Sequence, residues 1–266
     1  MATTMNSLRA PVRPLAPPRI RHIGLADLRL ALMAGWRDFA ATPTQLLFLG
    51  VIYPVVGLVA ARAAGGGEVL PLFWPLVAGL SLMGPLTALG LYEISRQREQ
   101  GRPTSWLTAF GALRSPGMVS ICVLGVYLLA LFVLWVTAAQ ALWSGIMAPL
   151  GAAPEGPGAL FDQVMHTPQG LRLLFWGNLV GFGFALAAFV GTVVSFPLLL
   201  DRPTDPGTAM LTSLRAVLAN PVPMLAWGLV VAVLLVLGSL PLFVGLAVVM
   251  PWLGHSTWHL YRRVVG

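Results

Sequence analysis

Residues 216–254 read AVLANPVPMLAWGLVVAVLLVLGSLPLFVGLAVVMPWLG, thirty-nine positions without one charged side chain. A single helix of that length would be about 58 Å long, nearly twice the hydrocarbon thickness of a bilayer, about 30 Å. Near its middle lies Gly238-Ser239-Leu240-Pro241, a breaker followed by a proline that suits the first turn of a new helix. The stretch is read as two membrane crossings joined by a tight hairpin.

The same reading extends through the chain. Ala41–Ala61 supplies a first crossing and Val69–Tyr92 a second. Pro71, Pro75 and Pro85 fit inside the second, because neighbouring helices re-satisfy the carbonyls a proline frees. Met118–Leu142 is the third, followed by a long outer loop, and Leu173–Leu200 the fourth. Six crossings result, in an all-α polytopic membrane protein. Composition agrees: of 266 residues only 9% are charged and 57% are hydrophobic, with mean hydropathy +0.82. So few charges could not cover a soluble globule, and a disordered chain is far more polar.

All sixteen basic residues are Arg. With the N-terminus inside, fourteen fall on the cytoplasmic side and only Arg62 and Arg172 outside. That asymmetry follows the positive-inside rule and puts both termini in the cytoplasm. The absence of Lys reads as codon bias of a GC-rich bacterial genome, so the expected home is the bacterial inner membrane. The net charge of +7 is thereby assigned to topology, and nucleic acid is not expected as a partner. The single Cys122 sits in an apolar run and reads as a packing residue. Met1–His22 is rich in Pro and Arg and lacks the apolar core of a signal peptide. Residues 1–23 are expected to be a disordered cytoplasmic tail, and 24–266 the membrane domain.

Each outward crossing follows a similar segment. Leu25–Phe39 precedes the first and ends near Pro43; Trp106–Arg114 precedes the third and ends at Pro116; Met210–Leu218 precedes the fifth and ends at Asn220-Pro221. In the first, Leu25, Leu28, Leu32, Trp36 and Phe39 are assigned to one face, with Asp27 and Asp38 on another. Such a segment suits a helix lying in the headgroup plane. The chain is thus expected to consist of three hairpins (units 24–101, 102–201 and 202–266), each led by an interfacial amphipathic helix.

Few residues carry chemistry. Glu93, at the inner end of the second crossing, has Arg96 one turn away and Arg98 beyond. Ionisable groups at membrane depth are costly, which makes this cluster a candidate for ion coupling or gating; the plainer reading is a carboxylate paired with Arg96. His255 and His259 are four apart and share one face of the last helix. A metal site needs three or four donors, and no Cys or carboxylate lies in their segment. Two histidines on adjacent turns cannot ligate opposite sides of a haem, so packing with Trp258 and Tyr261 is the reading. Asn178, next to Gly177 and Gly181, is expected to hydrogen-bond across a close helix contact. The outer loop carries Glu155, Asp162 and His166, with a short amphipathic stretch over Ala159–Met165. No phosphate loop, nucleophile elbow or His-Glu-x-x-His pattern is present. Neither a catalytic set, a metal nor a cofactor is expected.

Gly84-Pro85-Leu86 and the run from Gly90 to Gly101, with Tyr92-Glu93-Ile94-Ser95-Arg96 at its centre, resemble a bacterial membrane family known as domain of unknown function 2189. Trp36-Arg37-Asp38-Phe39 and Pro251-Trp252-Leu253-Gly254-His255 extend the resemblance. The family implies membrane embedding and no agreed activity. Taken together, the expected role is non-enzymatic: a scaffold, accessory subunit or assembly factor, with the bilayer, a membrane protein or a second copy as partners. The alternative is a small-molecule or lipid transporter with a cavity between the hairpins.

Overall fold

A computed structural model describes residues 18–44, 67–147, 156–241 and 243–266, with Val55, Gly151 and Pro154 besides. The first expected crossing, Ala41–Ala61, lies almost wholly outside the described residues, as does the tail up to residue 17. The described residues are helical and contain no strand, only an isolated antiparallel bridge between Ile20 and Val265.

Among the described residues, four helices are long and apolar enough to cross a bilayer: Leu70–Glu99, Met118–Met147, Pro168–Asp201 and Pro221–Ser239. They correspond to the second to fifth expected crossings. The sixth is present as a helix, Leu246–Val264, but is not one of these four. Its second half carries His255, His259, Arg262 and Arg263, which dilute its apolarity.

In chain order, α1 is Leu25–Ala41. The second span is broken: a 3-10 turn Gly67–Leu72, α2 Phe73–Leu80, a 3-10 turn Ser81–Met83, α3 Gly84–Thr87 and α4 Leu89–Glu99. Pro71, Pro75 and Pro85 each lack an N–H and displace the carbonyl a turn earlier. The indole of Trp135 donates to the Pro75 carbonyl at 2.7 Å, the kind of neighbouring donor such breaks require. A 3-10 helix Trp106–Arg114 leads to α5, Met118–Met147, five residues longer than expected. The loop after α5, expected on the outer side, holds α6, Pro157–His166, over the expected amphipathic stretch.

The fourth crossing starts at Pro168 rather than Leu173, because the Thr167 hydroxyl caps it by accepting from the Gly170 N–H at 3.0 Å. It is interrupted at Val193–Val194 into α7, Pro168–Thr192, and α8, Ser195–Asp201. Pro197 accounts for the break, since its ring meets the carbonyl of Val193 four residues back. Asp205 caps α9, Pro206–Ala219, accepting from Thr208 N–H at 2.9 Å. α10, Pro221–Ser239, and α11, Leu246–Val264, form the hairpin expected at Gly238–Pro241.

The segments that lead the crossings pack on returning helices. The 106–114 helix lies on α4, α9 on α7 and α8, and α1 most extensively on α11. Around them, Ile94, Phe196, Leu198, Trp258, Leu260 and Tyr261 form a closed core. The α1 face assignment needs correcting. Leu28, Ala31, Gly35, Asp38 and Phe39 are buried, while Leu25 and Trp36 are exposed. Gly35 decides this: a Cβ there would sit 2.5 Å from the Ser256 backbone nitrogen, so the two helices meet at a point only glycine permits. Asp38 is then carried inward with Gly35 and Ala31.

Candidate functional site

Asp38 is the hub of a largely buried polar cluster. Its residue is 7% exposed, and α1, α4 and α11 all aim side chains at it. Ser95 Oγ donates to Asp38 Oδ2 at 2.6 Å, and His259 Nε2 lies 2.8 Å from the same oxygen. Arg98 Nε donates to Asp38 Oδ1 at 2.9 Å. Beyond Ser95, its hydroxyl oxygen sits 2.8 Å from His255 Nδ1. Because the Ser95 proton is already given to Asp38, its oxygen must accept from His255. That assigns the proton to Nδ1 and leaves the His255 Nε2 lone pair buried and without a hydrogen-bond partner among the described residues.

The helix periodicities explain the convergence. Ser95 and Arg98 are three apart on α4 and His255 and His259 four apart on α11, so each pair points the same way. Burial works to raise the Asp38 pKa, but hydrogen bonds from His259 and Ser95 and attraction from both histidines outweigh it, holding the carboxyl below its ordinary range. The order of groups is not that of a nucleophilic triad, in which the carboxylate orients the imidazole and the imidazole activates the hydroxyl. Here the carboxylate holds the hydroxyl itself. The arrangement binds three helices through one charge.

Further ties flank this one. Glu93, 3% exposed, meets Arg96 through Nε at 2.9 Å and Nη2 at 2.7 Å, and accepts from Gln97 Nε2 at 2.6 Å. Arg96 Nη1 also donates to the Leu200 carbonyl at 3.2 Å, so the pair reaches α8. Gly111 leaves room for the Glu93 side chain, whose Cγ would be 3.3 Å from a Cβ there. In the second tie, Trp258 Nε1 and Arg262 Nε donate to the Glu99 carboxylate at 3.1 and 2.9 Å. Tyr261 OH donates to Asp201 Oδ2 at 2.6 Å. Arg263 Nη1 donates to Asp27 at 2.7 Å, closing α11 onto the start of α1.

The structure thus unites Arg98, His255 and His259, residues the sequence treats as two separate clusters, and keeps Glu93 and Arg96 as the pair expected. His255 and His259 do not merely pack with Trp258 and Tyr261; they face Ser95 and Asp38. Asn178 is corrected: it is exposed and donates to Leu174 O at 2.7 Å in its own helix, not across a contact. A Cβ on Gly177 would meet nothing within 4 Å, and only Gly181 approaches a neighbour, the Trp135 indole at 3.0 Å. His166 Nδ1 and Asp162 pair at 3.5 Å on the exposed α6.

The sequence pattern assigns Asp38 to a face apart from the Leu25–Phe39 stripe and gives no role to Ser95 or Asp201. A signal existed in α1, where Ala31, Gly35 and Asp38 share one helical stripe, so a close contact at the glycine carries the acid inward.

Residues 72–201 match the model of a family described as predicted integral membrane protein (DUF2189). The match takes in Glu93, Ser95, Arg96, Arg98 and Asn178; Trp36–Phe39 and Pro251–His255 lie outside it. No curated protein and no solved structure matches the chain.

Proposed function

Since residues 72–201 belong to that family of integral membrane proteins, we propose that the chain is a non-enzymatic scaffold, accessory subunit or assembly factor of a membrane complex. One observation carries this reading. The acidic side chains at the α1, α4, α8 and α11 junction (Asp27, Asp38, Glu93, Glu99 and Asp201) are engaged in ties to Arg, His, Trp or Tyr. Groups engaged in this way hold helices together. Meanwhile α10 presents Leu225, Leu229, Val233, Val236 and Leu237 outward, an apolar face for lipid or a partner helix.

In this reading the chain crosses the bacterial inner membrane six times with both termini cytoplasmic. It forms three hairpins, each led by an interfacial amphipathic helix, over units 24–101, 102–201 and 202–266. The way each leading segment lies on a returning helix supports the threefold organisation. Cross-linking in native membranes followed by affinity isolation should recover a membrane protein or a second copy. A strictly monomeric solubilised protein with no cross-linked partner would overturn the proposal.

The broken second span favours one other reading. Interrupted helices are how carriers expose backbone groups to a substrate, and Leu70–Glu99 changes helix type at Leu72–Phe73, Leu80–Ser81 and Met83–Gly84. Accumulation of a solute or movement of lipid in reconstituted vesicles would support a transporter.

A further inference from the structure

Outside the polar ties, the outward face of α1 has its own pattern. A groove of about 290 Å³ is lined by Arg29, Leu32, Met33, Trp36, Arg37 and Trp252. The two guanidiniums stand two helical turns apart on one exposed stripe, and the surface between them is apolar. Trp252 is fixed in place by donating to the Leu32 carbonyl at 2.9 Å, and its ring meets Trp36 edge-on at 5.4 Å. Neither Arg29 nor Arg37 has a carboxylate partner among the described residues, where Asp27 and Asp38 are committed to Arg263 and Arg98.

We infer that this groove holds an anionic phospholipid, its phosphate on the Arg29 and Arg37 guanidiniums and an acyl chain along Met33, Trp36 and Trp252. Unpaired guanidiniums at the edge of an apolar trough match an amphiphile with a negative head. Tryptophan is the side chain that settles at the headgroup level, with its ring in the acyl region and its N–H toward polar groups. The two other leading segments also set an arginine among exposed apolar side chains: Arg114 stands beside exposed Trp106, Phe110 and Leu113, and Arg215 beside exposed Leu211, Leu214 and Leu218. A membrane surface would meet all three, whereas a protein partner has no reason to. The inference needs only that the chain sits in a bilayer, so it stands or falls apart from the scaffold proposal.

The test uses the full chain in neutral detergent, titrated with phosphatidylglycerol or phosphatidylcholine and read by native mass spectrometry. The wild type should retain phosphatidylglycerol preferentially. Arg29→Gln and Arg37→Gln should each weaken its retention about fivefold, in line with the worth of one arginine at an anionic surface. Trp36→Ala should weaken both lipids alike. Arg172→Gln serves as a control that leaves retention unchanged, and lipid-free melting temperatures should match between the wild type and the arginine variants, since those side chains are exposed. Equal retention of the two lipids, unchanged binding by the double arginine variant, or displacement of the lipid by millimolar inorganic phosphate would each overturn the assignment.

Discussion

Asp38 shows how much one side chain can determine. Replacing it with Asn keeps its volume but removes the charge that Arg98 and His259 face. Both partners are partly exposed, so the expected loss is about 2–3 kcal/mol rather than the larger figure for a fully buried pair. A lowered melting temperature of the solubilised protein at neutral pH would check it. The pH dependence has a definite sign. With the folded carboxyl held below its ordinary value of 3.8, its contribution is complete above that pH and fades as pH falls further. The wild type and Asp38→Asn should therefore converge in stability in strong acid. Gly35 is equally constrained. Gly35→Val would drive a branched side chain into the Ser256 backbone, and unfolding should become easier by about 2 kcal/mol or more. The sequence made Glu93–Arg96 legible because the partners are one turn apart. It concealed Asp38, whose partners lie 57 to 221 positions away.

At the level of elements, hydropathy and punctuation carried most of the reading. The hairpin at Gly238–Pro241 and the start at Met118 follow directly from residue type. Ends set by capping or by proline were less legible, such as the Thr167 cap that draws α7 five residues earlier. Charge-free runs locate lipid, and helix boundaries follow hydrogen bonds instead. Asn220 ties three elements. It accepts from Ile23 N–H at 2.8 Å and donates to the carbonyls of Arg21 and Ala216 at 3.1 and 3.2 Å. Asn220→Ala should cost about 1–2 kcal/mol by leaving those backbone groups without it. Faster proteolysis or hydrogen exchange confined to residues 18–24 would show where the loss falls.

For the whole molecule, the composition excluded a soluble protein before any residue was placed, and the family match agrees. What composition could not convey is closure. Arg21 N–H donates to Val264 O at 2.8 Å and Gly266 N–H to Arg19 O at 3.0 Å, so segments 19–21 and 264–266 run side by side. Opposed residues of an antiparallel bridge have Cα atoms about 5 Å apart, within reach of a disulfide. Ile20→Cys with Val265→Cys, in a Cys122→Ser background, should therefore form an intramolecular disulfide under mild oxidation in membranes. Absence of that bond in folded protein would disprove the closure.

That closure bears on biogenesis. While a ribosome is still making the middle of the chain, α1 has been synthesised but His259, Ser256 and Arg263 have not. The Gly35 notch then waits, uncovered, through more than two hundred codons, and Asp38 has only Ser95 and Arg98 of α4 until His259 is made. A protein arrested short of α11 would display the open notch at Gly35 and an Asp38 without its histidine, a mark of incompleteness that a membrane chaperone or protease could read.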